Sequence, residues 1–485
     1  MTPGGRVRRP AAAPAVMVLL AVLHAVWTTR LQWDIHRGLG TSSYDVGLYD
    51  QGAWLLSRFE APFVTLMGRN LLGDHASLVM FLVVPFYWVV PGTETLLAIQ
   101  SFVVAAGALP LYFLARRRLG GQVMPVVIGS TWLLNPAVNG TNLENFHPDS
   151  FLGLFLPLAL FAMFERRWRL YWVAVVLCAS VKEDVSLVLV PLGLLLMLRG
   201  ERRRGAITAV AAIGASLAGM FLLMRSLIGT PTRNGWRIPF GGVGGFLRES
   251  VTNPGNVLSY LSSEGRLFYL WQMFVPFGPV LLLAPEVAAV SLLVITGNIV
   301  SNFWYQFHIG YHYSLVAVPA LAFATVIGTA RLHRNSRPLA VTVVALCTLV
   351  SAILWTALPG SRNEIAHWPA SHPVAVAARD IIREVPDDAP VSVFHSLAPH
   401  MAHRVHVYQF PNPFRVVLYG TDISLEGTRD PRADLVEYVV LPLSMDEDMS
   451  RDWGNIAGGF ETVARNDHWA VFRRLGGSKG AGQAP

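Results

Sequence analysis

The chain has 485 residues; 53% are hydrophobic and 14% charged, with a mean hydropathy of +0.44. Soluble domains carry about 25% charged residues, so a string of water-soluble domains is excluded. Apolar residues come in continuous runs rather than alternating, which excludes an outer-membrane barrel. The formal charge of +7 and pI near 9.6 do not mark a nucleic-acid binder. All but two of the basic side chains are Arg, the exceptions being Lys182 and Lys479, and the arginines sit in short clusters between apolar runs. That is the positive-inside pattern of a polytopic membrane protein, not a basic patch on a soluble face. Cys178 and Cys347 both lie in apolar runs and offer no disulfide framework.

In chain order, Arg6, Arg8 and Arg9 precede an apolar run at 11–29, read as an uncleaved first span with a cytoplasmic N-terminus. A mixed loop, 30–75, follows. The apolar piece 76–90 is short for a span, and Arg116-Arg117-Arg118 close the next run, 94–115. If that triplet is cytoplasmic, parity makes 76–90 a re-entrant or in-plane helix. Further spans are expected at 122–138, 150–164, 170–183, 185–198, 206–224, 269–284, 287–304, 313–330 and 338–358. The arginine clusters at 166–169, 199–204 and 331–337 then share the cytoplasmic side with 116–118. This makes eleven spans in a transmembrane region of 1–359.

From 360 the charge rises and the apolar runs shorten. Ser371–Val385 reads as an amphipathic helix; Val391–Ser396, Val405–Phe410, Leu435–Leu441, Phe460–Arg465 and Trp469–Arg473 read as strands. The expectation is a small extracytoplasmic α/β domain at 360–475, followed by a disordered tail, 476–485.

The ionisable groups gather in the outer loops: Asp45 and Asp50; Asp74-His75; Glu144, His147 and Asp149; Lys182-Glu183-Asp184; and His308 and His312 among tyrosines. Chemistry at the outer surface fits this pattern better than a proton-coupled transporter, which needs carboxylates near the midplane. Asp45, just past the first span and flanked by Tyr44 and Tyr49, is placed to take a proton from an acceptor hydroxyl. Asp74-His75 reads equally as a helix cap and as a site pair. Glu144, His147 and Asp149 have ligand chemistry but match no metal signature, so a divalent metal stays open and a polar hairpin is the plainer reading. Lys182 stands out in an arginine-using chain. A salt-bridged turn explains it; so does a need for a compact ammonium on a phosphate oxygen. His395, His400, His403 and His406 have spacings ill suited to one metal and read as surface and core histidines.

The first span, Tyr44-Asp45 with Tyr49, Asp74-His75 with its short apolar helix, and the span ending Leu114-Ala115-Arg116-Arg117-Arg118 together resemble the opening module of GT-C glycosyltransferases. More closely, Asp45-Val46-Gly47-Leu48-Tyr49-Asp50-Gln51, Phe146-His147-Pro148-Asp149, Lys182-Glu183-Asp184 and Tyr311-His312-Tyr313 resemble an uncharacterised bacterial family of predicted membrane proteins related to GT-C enzymes, over about residues 10–475. The resemblance implies a mainly α, polytopic fold, a polyprenyl-phosphate sugar donor, an extracytoplasmic site, and an acidic base in the first outer loop. By position that base is Asp45, with Asp50 beside it. His75, His147, Asp149, Lys182, Glu183 and His312 are the expected substrate-binding residues. Val46 stands where common GT-C loops carry a second acid.

Two functions follow as expectations. One is inverting sugar transfer from a lipid-phosphate donor, in a cell-membrane protein, to an extracytoplasmic glycan or protein. The alternative is a non-enzymatic membrane protein, a transporter of lipid-linked substrate or a component of envelope assembly.

Overall fold

The computed structural model describes residues 12–229, 234–363 and 365–476. The arginines at 6–9 and nearly all of the expected tail lie outside them.

The molecule is mainly helical, with a small sheet near the C-terminus. Among the described residues five helices are long and apolar enough to cross a membrane: Ala12–Arg37, Thr93–Leu119, Arg202–Ile228, His312–Arg331 and Arg334–Trp355. Shorter apolar helices occur at Val123–Leu134, Pro148–Phe164, Trp168–Ala179 and Pro285–Val300. The first helix runs eight residues past the expected end of its span. Its polar end is satisfied sideways, with Arg37 paired to Glu94 at 2.7 Å and Asp34 meeting His367 at 3.0 Å. The run 269–284 is broken. The helix Arg266–Phe274 gives way to short turns, because Pro276 and Pro279 remove donors and Gly278 takes a positive φ of 63°. The piece 76–90 forms a 3-10 turn, Leu78–Leu82, and one helical turn, Val84–Tyr87, with Phe81, Phe86 and Trp88 exposed.

Close helix packing uses glycine. The hairpin of Ser186–Leu198 and Arg202–Ala218 brings Gly193 and Gly205 against each other's carbonyls, leaving no room for a Cβ on either. With lipid on both sides, such small-residue contact is what lets helices meet closely.

The basic loops gather at one end. Arg117 and Arg118 pair with Glu165, Arg166 and Arg204 with Glu201, Arg331 with Glu286, and Arg337 reaches the Arg118 carbonyl at 3.3 Å. Thr93–Leu119, 27 residues long, carries the chain from that end to the other, about 40 Å away at 1.5 Å per residue. At the other end lie the first loop and the C-terminal sheet. The sheet has Val391–Val393 at its centre-left, parallel to Val407–Gln409 and to Tyr438–Pro442; Trp469–Arg474 and Phe460–Arg465 continue it antiparallel. The five strands fall where the sequence pattern puts them, and Pro373–Ile381 supplies the amphipathic helix.

Candidate functional site

Asp45 sits in a single π-turn, Ser43–Gly47, at the start of the helix Leu48–Ser57. Such turns widen a helix locally and recur at functional positions. The Ser42 hydroxyl accepts from the Tyr44 N–H at 3.3 Å and sets the entry. Tyr49, one turn on, is buried edge-on against Phe146 and His147. This packing lays Asp45 against the loop that follows Pro136–Leu143.

That loop is held by Gln100, a fully buried residue of the helix Thr93–Ala106. Its amide donates to the Asn145 carbonyl at 2.8 Å, and its carbonyl accepts from the His147 N–H at 3.0 Å. Gly140 lets the same segment press on Ile309 and Gly310, where an added Cβ would lie 2.6 Å from the Ile309 carbonyl oxygen. Together they bring Glu144 and His147 to His312.

The result is a compact cluster. His147 Nε2 lies 3.4 Å from Asp45 Oδ1. Glu144 Oε2 accepts from the His312 backbone N–H at 3.0 Å and lies 3.1 Å from His312 Nδ1 and 3.8 Å from His147 Nδ1. The two imidazoles stack with centroids 3.7 Å apart. Burial pushes the Asp45 carboxyl up, but the hydrogen bond and charge of His147 outweigh it and hold the group below its ordinary range. Burial dominates at Glu144 and raises it to about 7. The Asp45 side chain is 35% exposed, so the carboxylate remains reachable.

Lys182 lies behind this cluster, 8% exposed. Its ammonium is 3.7 Å from Asp149 and 3.8 Å from Asp184, and lies over the Tyr313 ring at 5.7 Å. Both separations are ion-pair distances rather than hydrogen bonds. The expected group of Glu144, His147 and Asp149 is therefore reshuffled: Asp149 goes to Lys182 and His312 takes its place. Asp149 makes no side-chain cap. Neither does Asp74, which pairs with Arg69 at 2.7 Å, while Asn70 caps the short helix Leu71–Asp74. His75 Nδ1 binds Glu183 at 2.8 Å, and the Ala76 N–H reaches the other oxygen at 3.1 Å. Burial works against the His75 cation, yet the Glu183 charge raises its pKa.

Asp45, His147, Asp149, Lys182 and His312 thus come together, with His75 and Glu183 alongside. Asp50 does not join them. It is buried and accepts from Tyr87 at 2.5 Å, from Thr93 at 2.9 Å and from His403 at 3.0 Å, beside a cavity of about 630 Å³. His400 stacks on His36 at 4.1 Å, so these C-terminal histidines serve packing and clasping.

Two residues went unforeseen. Arg69 and Arg237 line a cavity of about 590 Å³, together with His75, Glu183, Met224 and Ile228. The Nε atoms of both guanidinium groups are buried without a hydrogen-bond partner. Arg237 lies over Phe303 at 4.3 Å, reaches the Tyr313 hydroxyl at 3.4 Å, and has no carboxylate partner among the described residues. Half-buried guanidinium groups with a buried, unspent Nε donor each, Arg69 already paired with Asp74, are chemistry that an anion can use. Neither arginine lies in a cluster or motif, so only the fold reveals them.

The solved structures that match include two of one protein. The crystal structure of ArnT from Cupriavidus metallidurans bound to undecaprenyl phosphate shares 14% identity, with a TM-score of 0.57 over 95% of this chain and 98% of that one. ArnT from the same organism in the apo state gives 14% identity and a TM-score of 0.58, covering 96% and 98%. At that identity the likeness establishes a shared fold. Among curated proteins nothing matches. Residues 35–455, most of the chain, match the family described as predicted membrane protein (DUF2079), and the protein belongs to that family.

Proposed function

We propose that the protein transfers a sugar from a polyprenyl-phosphate donor to an extracytoplasmic hydroxyl acceptor, with inversion at the anomeric carbon. The observation that carries the reading is the pairing of a reachable carboxylate with an anion cavity across one cluster. Asp45 is tied to His147 and His312, and Tyr313, next in sequence, touches the Arg237 that lines the cavity. Met224 and Ile228, from the end of a membrane-length helix, give the cavity an apolar wall suited to a lipid chain. The motif resemblance to GT-C enzymes supports the same reading, as does a shared fold with a protein crystallised with undecaprenyl phosphate.

In this mechanism Asp45 takes the acceptor proton as the acceptor oxygen bonds to the anomeric carbon. The bond from that carbon to the phosphate oxygen breaks on the opposite face. The departing phosphate keeps the electron pair, and Arg69 and Arg237 neutralise its charge. Lys182, already between two carboxylates, organises the wall behind the site. The basic loops would face the cytoplasm and the catalytic end the outside.

The test is turnover of several lipid-linked sugars by purified protein. Asp45→Asn should lower the rate about 10²–10⁴-fold with donor binding little changed. Arg237→Met should weaken donor binding. Full activity in Asp45→Asn would remove the base assignment. Lipid movement across a vesicle without any new glycosidic bond would favour the transporter reading instead.

A further inference from the structure

We propose that Glu144, His147 and His312 bind a divalent transition-metal ion of the zinc class. They form a group of three metal-ligating side chains whose donor atoms all lie within 4.8 Å of one another, the one such group among the described residues. Zinc holds nitrogen and oxygen ligands at about 2.0–2.2 Å, so two donors on one ion stand at most about 4 Å apart. Small side-chain adjustments close the group onto an ion.

The geometry leaves one ligand atom of the group unspent. His147 turns Nε2 toward Asp45, 3.4 Å away, and Nδ1 toward Glu144. That Nδ1 is buried, has no hydrogen-bond partner, and faces Glu144 Oε2 at 3.8 Å. A buried ring nitrogen without a partner, beside a carboxylate oxygen, is the geometry of two ligand atoms that share one ion. The two imidazoles stack at 3.7 Å beside that carboxylate.

The donor set chooses the metal. Two imidazoles and one carboxylate suit zinc and its neighbours; magnesium and calcium want oxygen ligands throughout. Asp45 completes the arrangement from outside. A carboxylate holding the far nitrogen of a ligating histidine fixes its tautomer and ring orientation, as outer carboxylates do at zinc sites. Only the catalytic consequence of this site rests on the transfer reading; the binding of metal does not.

The experiment uses the full-length protein in detergent, stripped with EDTA and titrated calorimetrically with Zn²⁺. One equivalent per chain is expected, and Co²⁺ in its place should give the visible absorption of a nitrogen–oxygen site of low coordination number. Glu144→Gln and His312→Ala should abolish binding, and Asp45→Asn should weaken it about 10–100-fold. His403→Ala, a histidine outside the cluster, should leave it unchanged. Each variant is first melted without metal, and only those with a cooperative transition are counted; zinc should raise the midpoint of the wild type and not of Glu144→Gln. Folded wild type that takes up no stoichiometric zinc overturns the proposal, as does undiminished binding in a folded Glu144→Gln variant. Sugar transfer is assayed separately. Zinc bound without transfer keeps the site and removes the enzyme reading; transfer by a protein that binds no zinc does the reverse.

Discussion

Replacing Lys182 with methionine should cost more than one ligand contact. Its ammonium is buried beside an equally buried Asp149, and removing one member of such a pair strands the other's charge. The expected loss is about 3–5 kcal/mol, seen as a lower melting midpoint. Lys182→Met combined with Asp149→Asn removes both charges and should recover most of that loss. If phosphate recognition belongs to Arg69 and Arg237, the double variant keeps its donor affinity within a few-fold. A folded double variant that cannot bind donor would return the phosphate to Lys182. The sequence singled out Lys182 by its rarity but could not name Asp149 as its partner. The two are neighbours only because separate helices meet. Gln100 is the extreme case: a glutamine inside an apolar helix carries no chemical signature, yet its four-way geometry shapes the loop bearing Glu144 and His147.

At the scale of elements, the helix Thr93–Leu119 was legible throughout, because an apolar run, a Gly92 before it and an arginine triplet at its end all agree. The strands were legible for the same reason: short β-branched and aromatic runs bounded by turn residues. The run 269–284 was not. Hydropathy sees one apolar span there, whereas Pro276 and Pro279 divide it into a short helix and turns. The gathering of basic loops at one end carries a direct test. A topology reporter fused after Gly92 should appear outside the cell, and one after Gly120 inside. A cytoplasmic signal from the Gly92 fusion would invert the whole orientation, and with it the side on which Asp45 works.

For the whole molecule, pH should act through His403 as well as through His75, whose pKa Glu183 raises. Burial and the nearby Arg58 work against protonation of His403, but Asp50 raises its pKa above the ordinary 6.5; Tyr87 shares that carboxylate and Trp54 stacks on the ring. A histidine whose pKa is higher in the folded state stabilises fully below the unfolded value, and the benefit fades as pH rises through the folded one. The melting midpoint should therefore fall between about pH 6 and 8, and His403→Ala should flatten that fall. An equal slope in the variant would assign it elsewhere.

The clasp around Asp50 is one of several. Gln51 donates to the Arg404 carbonyl at 3.0 Å, Thr65 exchanges hydrogen bonds with Val407, and the Tyr44 hydroxyl reaches the Val417 carbonyl at 3.2 Å. The loop that carries the candidate base and the last hundred residues of the chain are thus cut from one pattern. In family members that diverge, these two stretches must change in step. A chimera that borrows the C-terminal region of a relative while keeping its own residues 41–70 would join two halves of different locks, and grafting both stretches together is the exchange that should fold.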